Sequence, residues 1–428
     1  MRQSCCTSSV VRSRFYLSLS ALALVLCGSV LAAEEAPQTD QYEAPGPVNA
    51  QDFLPKSAFS GKKVFVDKTA QNDGLQNTYV IRAGTQEYEV KGSAGTMEFL
   101  QELRAINELR QISTSKAFTQ GLKASAKGTY QSGKQIVRDP VGAVKKVPEG
   151  ASKFFGRVKG FFNDDEEDGG QASSAGDTVK GLLGFDKAKA KLAARVGVDV
   201  YSRNQALQDE LDRLASAAAG GGLAFDIGTL PIGGAVGVGL TVIGVQQTVD
   251  SLINDSSPAS LRNWNEENLI KLGANRDLVF QFINHPWYTL RQITVITASL
   301  AAAKINPDLF LEFANKALTP ADGRYFEQVA ELLAVYSQKV EPLQSLRLQD
   351  GLLCAVDANG ALIVPVSLDY AVWTPKVADR VDGLAGVVGG DSAIKAVKIY
   401  TDGKASERVR SELSKRGIEY QSVVGKTD

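Results

Sequence analysis

His285 is the only histidine in this 428-residue sequence, and it sits in Asn284-His285-Pro286-Trp287-Tyr288. As the base of a serine hydrolase it would need an exposed serine on a strained turn, and no Gly-x-Ser-x-Gly occurs. A transition-metal centre needs several imidazole, thiolate or carboxylate ligands that converge, so a single histidine argues against a His-based metal site. The residues around His285 instead predict a helix-ending corner packed by aromatic rings. The other reactive side chain is Cys354, in Leu352-Leu353-Cys354-Ala355-Val356, where a buried thiol is expected. Neither a metal nor a cofactor is expected.

Phosphate chemistry has two further candidates. Phe225-Asp226-Ile227-Gly228-Thr229 resembles the Asp-x-Gly-Thr turn of sugar kinases and actin-like ATPases, and Gly233 to Gly239 is dense in glycine. A nucleotide site of that kind also needs a Gly-Lys-Ser/Thr to reach phosphates and Mg²⁺, or a second acidic motif, and neither is recognisable. No nucleotide is expected.

Two stretches carry interfacial chemistry. Between Lys116 and Lys159 there are ten Lys or Arg against two acids, and the run ends in Phe154-Phe155-Gly156-Arg157-Val158-Lys159-Gly160-Phe161-Phe162. Lys145, Lys146, Lys153, Arg157 and Lys159 would meet anionic headgroups or an acidic partner, while Phe154, Phe155, Phe161 and Phe162 would enter an acyl boundary or an apolar groove. The second stretch, residues 215–245, is almost wholly Gly, Ala, Val, Ile and Leu. From Gly228 to Val245 it reaches the minimum spanning length, but Pro231 and the glycines weaken a single helix, and Gly233 with Gly237 allows close helix packing. It is therefore read either as a buried core helix pair or as a membrane-inserting element.

The elements that must carry these residues follow from composition and period. Arg2, Arg12 and Arg14 precede the apolar run Leu17–Leu26 and the small residues Gly28 to Ala33, the pattern of a secretory signal peptide over residues 1–33. Its removal would take Cys5, Cys6 and Cys27 with it, leaving Cys354 without a disulfide partner. It would also move the formal net charge from −1 to −4, which offers no basic field for nucleic acid. The periplasm or the extracellular space is the expected location, with membrane association through the two stretches above.

Residues 34–56, rich in proline and polar side chains, read as a flexible leader. Residues 57–162 read as an α+β region: short strands near 63–66, 78–82 and 88–90, then a helix over 94–112, then the basic segment 116–162. Residues 163–177 hold Asp164-Asp165-Glu166-Glu167-Asp168 and a Gly/Ser run, and read as a linker. A helical domain is expected over 178–345, with helices near 261–272, 277–283, 290–305, 307–318 and 321–338 joined by short connections. A C-terminal α+β module is expected over 346–428: a hairpin turning at Asn359-Gly360, then strand, helix and strand over 396–424.

That last unit, Val397-Lys398-Ile399-Tyr400-Thr401-Asp402-Gly403 with its helix and Gly417-Ile418-Glu419-Tyr420, resembles the opening strand, helix and strand of a glutaredoxin. The resemblance covers about 28 residues, the size of one βαβ-type unit. Gly403-Lys404-Ala405-Ser406 stands where the redox cysteines would be, so no thiol exchange is implied.

The fold class expected is α+β and predominantly helical. The function expected is that of an exported, non-enzymatic cell-envelope protein, a scaffold or binder of a protein partner or a membrane surface. The alternatives are a membrane-inserting, colicin-like or toxin-associated factor using residues 215–245, and a hydrolase with an unrecognised site.

Overall fold

A computed structural model describes residues 41–61, 63–114, 173–219 and 245–423. It is a mixed α+β fold: in chain order, a five-stranded sheet, a run of helices, and a second five-stranded sheet with its own helices.

The first sheet comprises β1 (Pro47–Asn49), β2 (Val64–Val66), β3 (Thr69–Asn72), β4 (Asn77–Ala83) and β5 (Gln86–Lys91), all antiparallel. Strand β4 is its spine: one edge pairs with β5, the other is shared by β3 and β2. Along β4 the side chains alternate, so Tyr79 and Ile81 are fully buried while Thr78 and Val80 are half-buried. Pro47–Asn49 falls in the stretch expected to be a flexible leader. It is ordered because its backbone pairs with β3, a partner that a three-residue strand between prolines does not announce.

Helix α1 (Lys56–Phe59) is a single turn, whereas α2 (Ser93–Thr114), about 33 Å long by its 22 residues, packs on two different cores. Its first half buries Met97 and Leu100 against the first sheet. Its second half buries Ala105, Ile106 and Leu109 against α3 (Ser173–Val196) and α4 (Gln205–Ala219). Helix α3 begins inside the stretch expected as a linker. A Leu109→Ala change in this core would cost about 2–5 kcal/mol.

The helices that follow are α5 (Val245–Asp255), α6 (Pro258–Lys271), α7 (Arg276–Ile283), α8 (Leu290–Ala303), α9 (Asp308–Ala314) and α10 (Pro320–Lys339). Their starts are written locally. Thr289 with Gln292 and Thr319 with Asp322 close capping boxes at α8 and α10, and Ser257 and Asn275 cap α6 and α7.

The second sheet runs in the order β12-β10-β8-β7-β6, from β6 (Leu343–Gln349), β7 (Leu352–Asp357), β8 (Ala361–Val366), β10 (Ala396–Thr401) and β12 (Ile418–Ser422). The first three form an antiparallel meander; β8, β10 and β12 are parallel. Alternation along the strands divides two cores. Ala355, Ala361, Ile363 and Tyr400 face the helices, where Tyr336 of α10 meets Tyr400 edge-on at 5.0 Å. Cys354, Leu362, Val364 and Val397 face α11 (Pro375–Ala385), the short α12 (Val387–Gly390) and α13 (Glu407–Lys415). A two-residue ladder of β9 (Tyr370–Ala371) and β11 (Lys404–Ala405) completes this end.

The expected hairpin turns at Asn359-Gly360, where Gly360 has φ +80°. The expected strand-helix-strand is β10, α13 and β12 in parallel.

Candidate functional site

Helix α10 buries most of its surface, yet Arg324, Glu327, Gln328 and Glu331 lie on one of its faces, at the spacing i, i+3, i+4 and i+7. Opposite this stripe, α2 presents Glu98, Gln101 and Glu102. Arg324 joins the two helices: its Nε and Nη2 each lie 2.7 Å from Oε2 of Glu98. Gly95 makes room for the guanidinium, since a Cβ there would stand 3.1 Å from Nη1 of Arg324.

Glu327 is held from α8. Arg291 Nη1 donates to its Oε1 at 3.0 Å and Gln292 Nε2 to its Oε2 at 3.2 Å. The same Gln292 closes the capping box with Thr289, and the Thr289 hydroxyl donates to Asp199 Oδ2 at 2.8 Å. Asp199 belongs to the connection between α3 and α4, and its other oxygen accepts the Tyr201 N–H at 2.8 Å. From that connection, the Ser202 hydroxyl and the Asn204 amide both donate to Glu102, the latter at 3.1 Å.

The second sheet contributes Asp402, just past the end of β10. Its Oδ1 accepts the Leu368 N–H at 3.0 Å, and its Oδ2 accepts Ser367 Oγ at 2.8 Å and Gln328 Nε2 at 3.3 Å. Glu331 differs from all of these. It is 8% exposed, and neither of its oxygens accepts a hydrogen bond or lies in an ion pair among the described residues.

These groups line a cavity of about 1030 Å³ where the first sheet, α2, α3, α10 and the ends of the second sheet's strands meet. Its walls include Met97, Val198, Leu353, Val364, Val366 and Ile399. Removal from water disfavours the charged form of Glu102, Asp402 and Glu331. Burial pushes Glu102 up to about 7, with Glu98 and Asp199 adding to the shift against the hydrogen bonds from Ser202 and Asn204. Burial likewise pushes Asp402 up to about 7. Glu331 is raised well above the usual carboxylate range by burial and then by the neighbouring Glu327 and Asp402, with Arg291 opposing. An amphipathic cavity with an acidic floor can hold a ligand that has an apolar body and a hydrogen-bond-donating head.

The contact and apolar-segment residues expected from the sequence are not among those described. Lys145, Lys146, Lys153, Phe154, Phe155, Arg157, Lys159, Phe161 and Phe162 lie outside the described residues, as do Gly228, Pro231, Gly233 and Gly237. Only the ends of the apolar stretch are described: Ala215 and Ala217 are buried at the end of α4, and Val245 at the start of α5. Among the described residues no helix is long and apolar enough to cross a membrane.

His285 lies away from the cavity lining. Its Nδ1 accepts the Trp287 N–H at 3.4 Å, its Nε2 lies 3.2 Å from the Asn315 carbonyl, and its ring meets Tyr288 edge-on. It closes the corner between α7 and α9. The Cys354 thiol is fully buried and points to the Leu352 carbonyl at 3.6 Å, and burial pushes its pKa up to about 12. Ser406, at the end of the cysteine-free stretch, caps α13 and donates its hydroxyl to Glu43 at 2.6 Å. Among the described residues no group of three His, Cys, Asp or Glu side chains is placed to hold a metal ion.

Comparison with protein-family models, with curated proteins and with solved structures finds no match.

Proposed function

We propose that this chain is an exported, non-enzymatic binding protein of the cell envelope, and that it holds a small amphipathic molecule in the cavity between α2, α10 and the second sheet. The observation that carries this reading is the cavity itself. At about 1030 Å³ it lies at the top of the range typical of small-molecule sites, roughly 300–1,000 Å³. It also has the expected make-up of apolar walls with a few convergent polar groups. The charged sequence pattern of residues 1–33 supports export, and the basic segment 116–162 remains the proposed contact with a protein partner or a membrane surface.

A carboxylate-pair hydrolase is the second reading, because Glu331 and Asp402 line the same cavity with raised proton affinities. Asp402 argues against it. Three donors already occupy its oxygens, so it is held for structure and not for proton transfer.

The test is binding of Nile red, a neutral apolar dye, to the purified protein. Saturable binding with blue-shifted emission is expected, and an Ile399→Trp variant that fills the cavity should lose it while keeping the wild-type circular dichroism spectrum. Absence of saturable binding, or full binding by folded Ile399→Trp, would overturn the reading.

A further inference from the structure

We propose that the ligand of this cavity carries an ammonium group and that Glu331 is its counter-ion. The inference rests on the binding reading above and deepens it by naming the chemical class.

Each of the other acids on the cavity floor already has donors of its own. Glu98 is paired with Arg324, Glu327 with Arg291 and Gln292, Glu102 with Ser202 and Asn204, and Asp402 with Leu368, Ser367 and Gln328. Glu331 is buried and lines the same cavity, yet no donor among the described residues meets it. Its oxygens are left to the cavity, where they can accept from a ligand's donor. The cation whose charge acts on Glu331, Arg291, is committed to Glu327 at 3.0 Å.

The charges felt by Glu331 are therefore Glu327 and Asp402 on the negative side and a shared Arg291 on the positive. An anionic head would meet net repulsion there, and a neutral head would bring no charge to set against Glu327 and Asp402. An ammonium supplies three donors and the missing charge. The apolar walls then take the ligand's hydrocarbon body.

The experiment uses three probes of one chain length, n-hexylamine, n-hexanol and sodium hexanoate, each titrated calorimetrically into the protein and each competed against Nile red. Hexylamine is expected to bind at least tenfold tighter than the other two. In a Glu331→Gln variant that keeps the wild-type circular dichroism spectrum, that preference should disappear. Glutamine keeps the shape and neutrality of the protonated carboxyl, so this variant is expected to fold. The comparison of the three probes on the wild-type protein needs no variant at all.

Hexanol or hexanoate binding as tightly as hexylamine would overturn the ammonium assignment while leaving the cavity as a binding site. So would an undiminished hexylamine preference in Glu331→Gln. Failure of Nile red to enter would remove the binding reading itself, and the ligand class with it.

Discussion

The carboxylate of Asp369 sits at the amino end of α2, where its Oδ1 accepts the backbone N–H of Ser93 at 2.9 Å across 276 residues of chain. Its Oδ2 accepts the N–H of Asn77, at the start of β4, at 2.8 Å. One side chain from the loop before β9 thus fastens both the first sheet and the first long helix to the second sheet's end of the molecule. A negative charge at a helix amino terminus is favourable, and the backbone donors it satisfies have no intrahelical partner. The cavity lies beside this junction, and Ser93 and Asp369 both line it.

Asp369→Ala is therefore expected to cost more than an ordinary surface change. Two backbone donors would lose their acceptor in a buried setting, each worth about 1–3 kcal/mol. A loss of about 2–4 kcal/mol in urea unfolding is predicted, with Asp369→Asn, which keeps one acceptor oxygen, falling between it and the wild type. A change below about 0.5 kcal/mol in Asp369→Ala would show that the junction is held elsewhere.

Gly95 marks the second fastening. An alanine methyl there would approach Nη1 of Arg324 to 3.1 Å and press the guanidinium away from Glu98. The neighbour is the far end of a long side chain, so the predicted cost is modest, about 1 kcal/mol. Arg324→Met should suppress it. In a double-mutant cycle the Gly95→Ala penalty is expected to vanish once Arg324 is gone, and a penalty that persists would place its cause in the backbone of α2.

The buried acids make stability depend on pH in a stated direction. Glu102 rises from 4.5 in the unfolded chain to about 7 in the folded protein, and Asp402 from 3.8 to about 7. Between those values the folded state binds more protons than the unfolded one, so stability falls as pH rises through roughly 4 to 7. Each group contributes on the order of 3 kcal/mol across the window. Asp199, Glu327 and Glu331 shift in the same sense and add to the slope. Unfolding measured at pH 5 and pH 7 should show the higher stability at pH 5, and Glu102→Gln should flatten the difference. Equal stabilities, or a rise toward pH 7, would contradict the burial of these groups.

Elements whose causes are local were legible in the sequence. The helices of residues 258–339 announce themselves by apolar period and by Thr289-x-x-Gln292 and Thr319-x-x-Asp322, and the β7–β8 hairpin by Asn359-Gly360. Strands β1 and β3 were not legible: with three and four residues they have no period to read, and their order comes from pairing with each other and with β4. The site was half-written. Arg324, Glu327, Gln328 and Glu331 do fall on one helical face in the sequence, but a solvated face has that same pattern. Only the opposing Glu98 and Glu102, more than 220 residues away in the chain as the Glu98–Arg324 bond measures it, turn the stripe inward.

Ammonium binding at Glu331 also predicts proton release. In the empty cavity, burial and then Glu327 favour the protonated carboxyl. A bound ammonium favours the carboxylate, so the group gives up its proton as the ligand arrives. Hexylamine affinity should then rise about tenfold per pH unit while the pH stays below the empty-state pKa, and flatten above it. Calorimetric titrations at one pH in phosphate and in Tris, whose ionisation heats differ widely, should give apparent enthalpies that diverge by the heat of about one proton per ligand. In Glu331→Gln the two buffers should agree. Divergence that survives in Glu331→Gln would assign the released proton to another cavity carboxyl, with Asp402 and Glu102 the groups to replace next. Agreement between the buffers in the wild-type protein would mean that the ligand does not meet a protonated Glu331.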